Sequence, residues 1–171
     1  MDLQSAHTTL ILLHATAATL AFFAGCLLIF SPTHISNQRL FNLYIWTLGM
    51  MVVLLADAIF VYWSQYTSLE RIIFPALLGL GIFMFLNARI ASGLLKAEKK
   101  NWKPGYIESI GFTLISLFEG FIIVSGLHSG MPGWLVAAIA IFSVLGGRWL
   151  IAYAKQRTVE PIGSKKKSVS H

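Results

Sequence analysis

Charged residues are scarce in this sequence. Only 12% of its 171 residues are Asp, Glu, Lys or Arg, against roughly 25% in an average soluble domain, while 56% are hydrophobic. A chain with so few charges cannot cover a globular surface with polar groups, so its apolar residues must face a bilayer as well as each other. This shortage excludes an ordinary soluble domain and predicts an integral membrane protein.

The sequence has one cysteine and no recognisable catalytic motif. The single cysteine, Cys26, rules out an intrachain disulfide and a paired-thiol redox motif. The sequence contains no P-loop, no dinucleotide glycine fingerprint, no nucleophile elbow and no zincin helix with two histidines and a glutamate. An enzymatic activity is therefore not indicated.

Long apolar runs are what the sequence has in abundance. Five of them are long enough to cross a hydrocarbon core of roughly 30 Å, and they cover residues 7–29, 41–63, 72–95, 106–127 and 132–154. They predict an all-α bundle of five transmembrane helices within a single domain, residues 1–157. The remaining residues, 158–171, include three consecutive lysines, and we expect them to form a basic cytoplasmic tail that is disordered or lies on the anionic leaflet.

The distribution of basic residues predicts the orientation of this bundle. Cytoplasmic loops keep Lys and Arg, whereas translocated loops lose them. Arg39, the lysines of the 96–105 loop and the basic tail all fall on one side of a five-span chain, while the loop 129–133 on the other side has no basic residue. We therefore expect a multi-pass protein of the inner membrane with its N-terminus outside and its C-terminus in the cytoplasm. Aromatic residues near the span ends, among them Trp102 and Tyr106, are typical of interfacial belts.

The N-terminal apolar run has no Lys or Arg before it and exceeds the length of a signal-peptide core. We expect this first span to be retained rather than cleaved.

Three ionisable residues fall inside the outer halves of three different spans. With about 1.5 Å of rise per residue, His14, Asp57 and Glu119 lie roughly 9 to 12 Å below the outer boundary. An ionisable side chain at such a depth is costly unless it has a partner, water or a role. Their similar depths predict a proton- or cation-binding cluster, with His7 one heptad above His14 on the same face. The alternative is that each is an isolated polar group that hydrogen-bonds a neighbouring helix.

Two arginines lie in the inner halves of the spans. Arg89 and Arg148 are each about six residues from an inner helix end, a distance that the long arginine stem can bridge to reach the headgroups. The alternative is that these arginines bind an anion or a lipid headgroup phosphate, together with Asn87.

Cofactor and metal binding stay open at this level. A haem with two histidine ligands is disfavoured because His14 is the only histidine deep inside a span. A copper or zinc site built from His7, His14 and His128 with a carboxylate is compatible with ligand chemistry. Nucleic acid is excluded as a partner, because the basic residues lie at the ends of apolar runs rather than in one patch with aromatic residues.

The first third of the chain, residues 13–25 and 37–46, resembles the opening of a family of uncharacterised bacterial polytopic membrane proteins. In that family a histidine opens an Ala/Gly-rich first helix, and a basic loop leads to a tyrosine in the second helix. The positions that fit are His14, Gly25, Arg39 and Tyr44, and those that differ are Asn37, Phe41 and Asn42. The family has no settled activity, so the resemblance implies a membrane bundle.

Two classes of function follow from these features. The first is a non-enzymatic bundle that serves as an accessory subunit, an assembly factor or a binder of a small ligand. The alternative is a proton- or cation-coupled transporter that uses His14, Asp57 and Glu119. The expected partners are the lipid bilayer and either further copies of the chain or a larger membrane complex.

Overall fold

The computed structural model describes residues 3–31, 33–97 and 102–159, and within these ranges every regular element is helical. The elements are α1 (Leu3–Phe30), α2 (Gln38–Tyr62) with a short 3-10 extension (Trp63–Gln65), α3 (Glu70–Ala97), α4 (Trp102–His128) and α5 (Gly133–Val159). Each of the five α-helices is long and apolar enough to cross a membrane. The predicted all-α class is confirmed, and so is the prediction of five helices that are long and apolar enough to span a membrane. The end of the bundle where α1 begins is called the outer end below, and the opposite end the inner end.

Several helices extend beyond the apolar runs that predicted them. The expected loop 96–105 was wrong in its second half, because α4 already begins at Trp102. Pro104 lies in the first turn of that helix, where a missing backbone N–H removes no intrahelical bond. The predicted tail was also placed too early, since α5 continues to Val159. Residues 160–171, with the three lysines, lie outside the described residues.

Local capping explains where two of the helices begin. Asn37 precedes α2, and its side-chain oxygen accepts hydrogen bonds from the backbone N–H groups of Arg39 and Leu40 at 3.0 and 3.2 Å. Thr67 and Glu70 form a capping box before α3: the Glu70 carboxylate accepts from the Thr67 N–H at 2.8 Å, and the Thr67 hydroxyl accepts from the Glu70 N–H at 3.3 Å.

The turn after α4 depends on a glycine. Gly130 has a φ of +67°, a left-handed conformation that side chains with a Cβ adopt rarely. The next residue, Met131, donates its N–H to the carbonyl of Gly126 at 3.1 Å, which closes the helix end as in a Schellman motif. This turn reverses the chain between α4 and α5.

Helices α1 to α4 surround one core. α1 packs against α2 and α4, and α3 packs against the same two helices from the other side. The small residues Ala17 and Ala21 of α1 are buried in this core. A Cβ on Gly25 would come within 2.8 Å of Leu114 on α4, so the glycine permits a close approach of the two helices.

Helix α5 packs mainly on α4, and its residues Ile151 and Ala154 reach the core that α1 to α4 surround. The two antiparallel helices meet in a regular register. At three of the facing pairs a glycine of one helix lies against a branched side chain of the other, and at two pairs polar side chains bond each other. The facing pairs, from the outer to the inner end, are Gly126 with Val136, Glu119 with Ser143, Ile115 with Gly147, Gly111 with Ile151 and Glu108 with Lys155. The opposite side of α5 is exposed and apolar, as expected for a helix face in contact with lipid.

Candidate functional site

His14 uses its ring to join two helices. Its Nδ1 lies 2.9 Å from the backbone carbonyl oxygen of Met51 on α2. A carbonyl can only accept, so Nδ1 carries the proton and donates. The side chain is half-buried at the boundary between α1 and α2.

Glu119 joins a different pair of helices. Its carboxyl group is buried and accepts a hydrogen bond from the Ser143 hydroxyl across the contact between α4 and α5. The Ser143 oxygen also lies 2.9 Å from the carbonyl of Ala140, one turn earlier on its own helix. The buried carboxyl therefore has a hydrogen-bonding partner on a neighbouring helix.

Asp57 points away from the other two. It is exposed on α2, on the side of that helix opposite the core. Within the described ranges it makes no hydrogen bond or ion pair. The three predicted cluster residues thus have three different environments, and the structure brings no two of them into direct contact.

The described residues contain no group of three or more His, Cys, Asp or Glu side chains that could hold a metal ion. The side chain of His128, which the sequence offered as a third histidine ligand, lies outside the described residues. The proton- or cation-binding role of His14, Asp57 and Glu119 stays a prediction. In the structure each of the three side chains has its own surroundings.

No protein-family model, curated protein or solved structure matches this chain. The resemblance of residues 13–46 to a bacterial family therefore stays a prediction.

His7 is part of an aromatic cluster at the outer end. Its ring stacks on Tyr62 with a centroid separation of 4.2 Å, and its Nε2 lies 3.2 Å from the Tyr66 hydroxyl. Burial raises the pKa of Tyr66, and the nearby Glu70 carboxylate raises it further. The phenol therefore keeps its proton at neutral pH and can donate it to His7. This cluster fastens the start of α1 to the connection between α2 and α3.

The two arginines lie on different helices, and a common site for an anion or lipid headgroup stays a prediction. Arg89 and Arg148 are both exposed, Arg89 on α3 and Arg148 on α5. An ion pair joins α4 and α5 at the inner end of their contact, where the Lys155 ammonium lies 2.7 Å from the Glu108 carboxylate. Exposed positions in the inner halves of two helices agree with side chains that extend toward headgroups.

Arg89→Lys and Arg148→Lys are expected to be nearly silent. Lysine has a similarly long stem and keeps the charge, so it can reach the same headgroups. The free energy of unfolding should change by less than about 0.5 kcal/mol, as for exposed sites generally. Expression level and thermal stability of the purified variants measure this. A collapse of folding on Arg148→Lys would instead indicate a partner that needs the two-pronged guanidinium.

Two tyrosines that the sequence did not single out as a site form the most distinctive polar feature of the core. Tyr44 on α2 and Tyr106 on α4 are both fully buried near the inner end. Among the described residues neither hydroxyl has a hydrogen-bond partner. The assignment of Tyr106 to an interfacial belt was therefore wrong, because the side chain points into the bundle.

The surroundings of these hydroxyls are aromatic and uncharged. Phe41 lies 5.9 Å from both tyrosine rings, and the Trp102 ring lies 5.2 Å from that of Tyr106. The Thr113 hydroxyl lies near the Tyr44 hydroxyl and donates to the backbone carbonyl of Ser109 at 3.2 Å, which leaves its oxygen able to accept a hydrogen bond from Tyr44. The pair of buried hydroxyls is called the tyrosine pair below.

Proposed function

We propose that the protein is a non-enzymatic bundle of the inner membrane that binds a small ligand at the tyrosine pair. In this proposal the N-terminus is outside, as the distribution of Lys and Arg predicts, and the tyrosine pair lies toward the cytoplasm. The observation that carries the proposal is the presence of two fully buried hydroxyls, on facing helices, without a partner among the described residues.

The energetics of burial support a bound partner. A buried hydroxyl without a hydrogen bond destabilises a protein by about 1 to 3 kcal/mol. Phenylalanine would fill nearly the same space as Tyr44 or Tyr106 without this loss. Two such groups in one core therefore indicate that a further molecule satisfies them, as buried polar groups nearly always have a partner.

The chemistry of the site limits the ligand to one class. Both side chains have no accessible surface, so the ligand must be small and the neighbouring side chains must move to admit it. Among the buried side chains of the described residues the only carboxyl group is that of Glu119, in the outer half of α4, and none is a lysine or arginine. A charged ligand at the tyrosine pair would therefore have no buried counter-charge. The expected ligand is a neutral molecule with a hydrogen-bonding group for the tyrosines and a flat or apolar body that can contact the rings of Phe41 and Trp102.

Removing the hydroxyls one at a time tests the proposal. Tyr44→Phe and Tyr106→Phe should each lower the free energy of unfolding by about 1 kcal/mol, because each variant loses one bond to the ligand. The double variant should lose less than the sum of the two, since either single variant already weakens the shared ligand. Thermal unfolding of the purified protein gives these values. Mass spectrometry of the denatured protein should show an organic molecule that the double variant no longer retains.

Thr113→Val is the matched control for a direct bond between side chains. If the Tyr44 hydroxyl bonded Thr113 instead of a ligand, Thr113→Val would reproduce the loss of Tyr44→Phe while Tyr106→Phe had no effect. Phenylalanine variants as stable as the wild type, or a protein that releases no organic molecule, would contradict the proposal.

Transport coupled to protons or cations is less well supported. It needs an ionisable pathway through the membrane, yet His14, Asp57 and Glu119 each have separate surroundings. Five spans are also few for a transporter, since these proteins commonly consist of paired repeats.

A further inference from the structure

The contact between α4 and α5 contains two carboxyl groups with different partners. At the inner end the Glu108 carboxylate lies 2.7 Å from the Lys155 ammonium, which balances its charge. About three turns further along α4, the Glu119 side chain is buried, and its partner on α5 is the uncharged hydroxyl of Ser143. Among the described residues no Lys, Arg or His forms an ion pair with Glu119.

The helices on either side of α4 bring no cation to the level of Glu119. The helices that pack closely on α4 are α1, α3 and α5. Residues 133–147 of α5 and 72–88 of α3 contain no ionisable side chain. The arginines that flank these two segments are all exposed on the outside of the bundle, and they are Arg71, Arg89 and Arg148.

The ionisable side chains of α1 and α2 are also engaged elsewhere. His14 of α1 bonds a backbone carbonyl of α2. Cys26 follows Gly25, which faces Leu114, about 7 Å inward of Glu119 along α4. Tyr44 of α2 has its hydroxyl in the core, whereas Glu119 is on the side of α4 that faces α5. A negative charge on Glu119 would therefore be buried without a counter-charge.

The Ser143 hydroxyl has one proton and two acceptors within reach. Its oxygen lies at hydrogen-bonding distance from the Glu119 carboxyl group and 2.9 Å from the carbonyl of Ala140. If Glu119 is ionised, the hydroxyl is its only donor and cannot serve Ala140 at the same time. If Glu119 carries a proton, the acid donates to the Ser143 oxygen while the hydroxyl donates to Ala140, so both contacts are hydrogen bonds.

We propose that Glu119 is a proton-binding site that holds α5 against α4. Its carboxyl group is protonated and neutral while the two helices are in contact, and loss of the proton weakens the contact. Burial without a cation disfavours the charged form of a carboxyl group, and the donor count at Ser143 is satisfied only by the neutral acid. On both sides of Glu119 the same contact is apolar and tight, with Val136 against Gly126 and Ile115 against Gly147.

This inference is independent of the proposed ligand, because the tyrosine pair lies in the core of α1 to α4 and Glu119 faces α5. Either one can fail while the other holds.

Infrared spectroscopy of the purified protein at neutral pH tests for the proton. The C=O stretching band of a protonated carboxylic acid is separate from the bands of a carboxylate, and Glu119→Gln should lower its intensity. Glu108→Gln is the matched control, because it removes a carboxylate from the same helix contact, and it should lower only the carboxylate bands. An acid band that is unchanged in Glu119→Gln would overturn the proposal. So would a Glu119→Gln protein that fails to fold, because the amide has the size of the neutral acid and can donate to Ser143 in the same way.

The pH dependence of the contact tests its link to the proton. The joined helices hold a proton that an exposed carboxyl group releases above a pH of about 4, so a rise in pH favours separation of α5. Cleavage by a broad-specificity protease in the 129–133 turn measures this separation. From about pH 6 to about pH 9 the cleavage rate of the wild type, divided by that of Glu119→Gln in the same buffer, should rise at least threefold. A ratio that stays constant or falls with pH would contradict the role of the proton in the contact.

Discussion

Gly147→Leu is expected to detach α5 from α4, whereas Gly146→Leu, at the adjacent position, is expected to leave the contact intact. A Cβ added at Gly147 would lie 2.6 Å from Cγ1 and 2.9 Å from Cδ1 of Ile115. At Gly146 nothing lies within 4 Å of the same atom. The two glycines are neighbours in one helix, so the loss of helix-disfavouring glycine is the same in both variants.

The difference between the two variants measures the packing of α5. Overfilling a tight contact costs about 1 to 3 kcal/mol, and α5 has little other packing to hold it in place. The Gly147→Leu protein should unfold at a lower temperature and become sensitive to protease in the 129–133 turn. Gly146→Leu should match the wild type in both assays. Similar behaviour of the two variants would mean that α5 does not pack on α4 in this register.

The number and order of the helices could be predicted from the sequence, because apolar runs of about 20 residues seldom form anything other than a membrane-spanning helix. The boundaries were less accurate where polar residues continue a helix past the hydrocarbon region. Trp102 and Lys103 precede a proline and a glycine, a combination that indicates a loop, yet the proline lies in the first turn of α4, where its missing N–H is tolerated.

The faces of the helices could not be predicted. A soluble helix shows its buried side by a polar opposite side, but helices that are apolar all round give no such contrast. For this reason the depth of Asp57 could be estimated from the sequence, while its direction, away from the core, could not. Tyr106 illustrates the same limit, because an aromatic residue near a helix end fits an interfacial belt and a buried core equally well.

The spacing of residues along the sequence could not predict the hydrogen-bonding partners of the polar residues. His14 bonds a backbone carbonyl, and every residue of α2 carries one. Glu119 bonds Ser143, one of several hydroxyl-bearing residues in the chain. Depth estimates bring side chains to a common level of the membrane, whereas contacts depend on how each helix is rotated about its axis.

We propose a bundle of five spans with the N-terminus outside. Reporter fusions measure directly on which side of the membrane each loop and terminus lies. The loop 129–133 has no basic residue, while the basic tail lies one helix further along the chain. An enzyme that is active only outside the cytoplasm, such as a periplasmic phosphatase, should be active when inserted after Ser129 and inactive when fused after His171. A reporter that is active only in the cytoplasm should give the opposite pattern. Activity on the same side of the membrane at both positions, or a reversal of the pattern, would contradict the account.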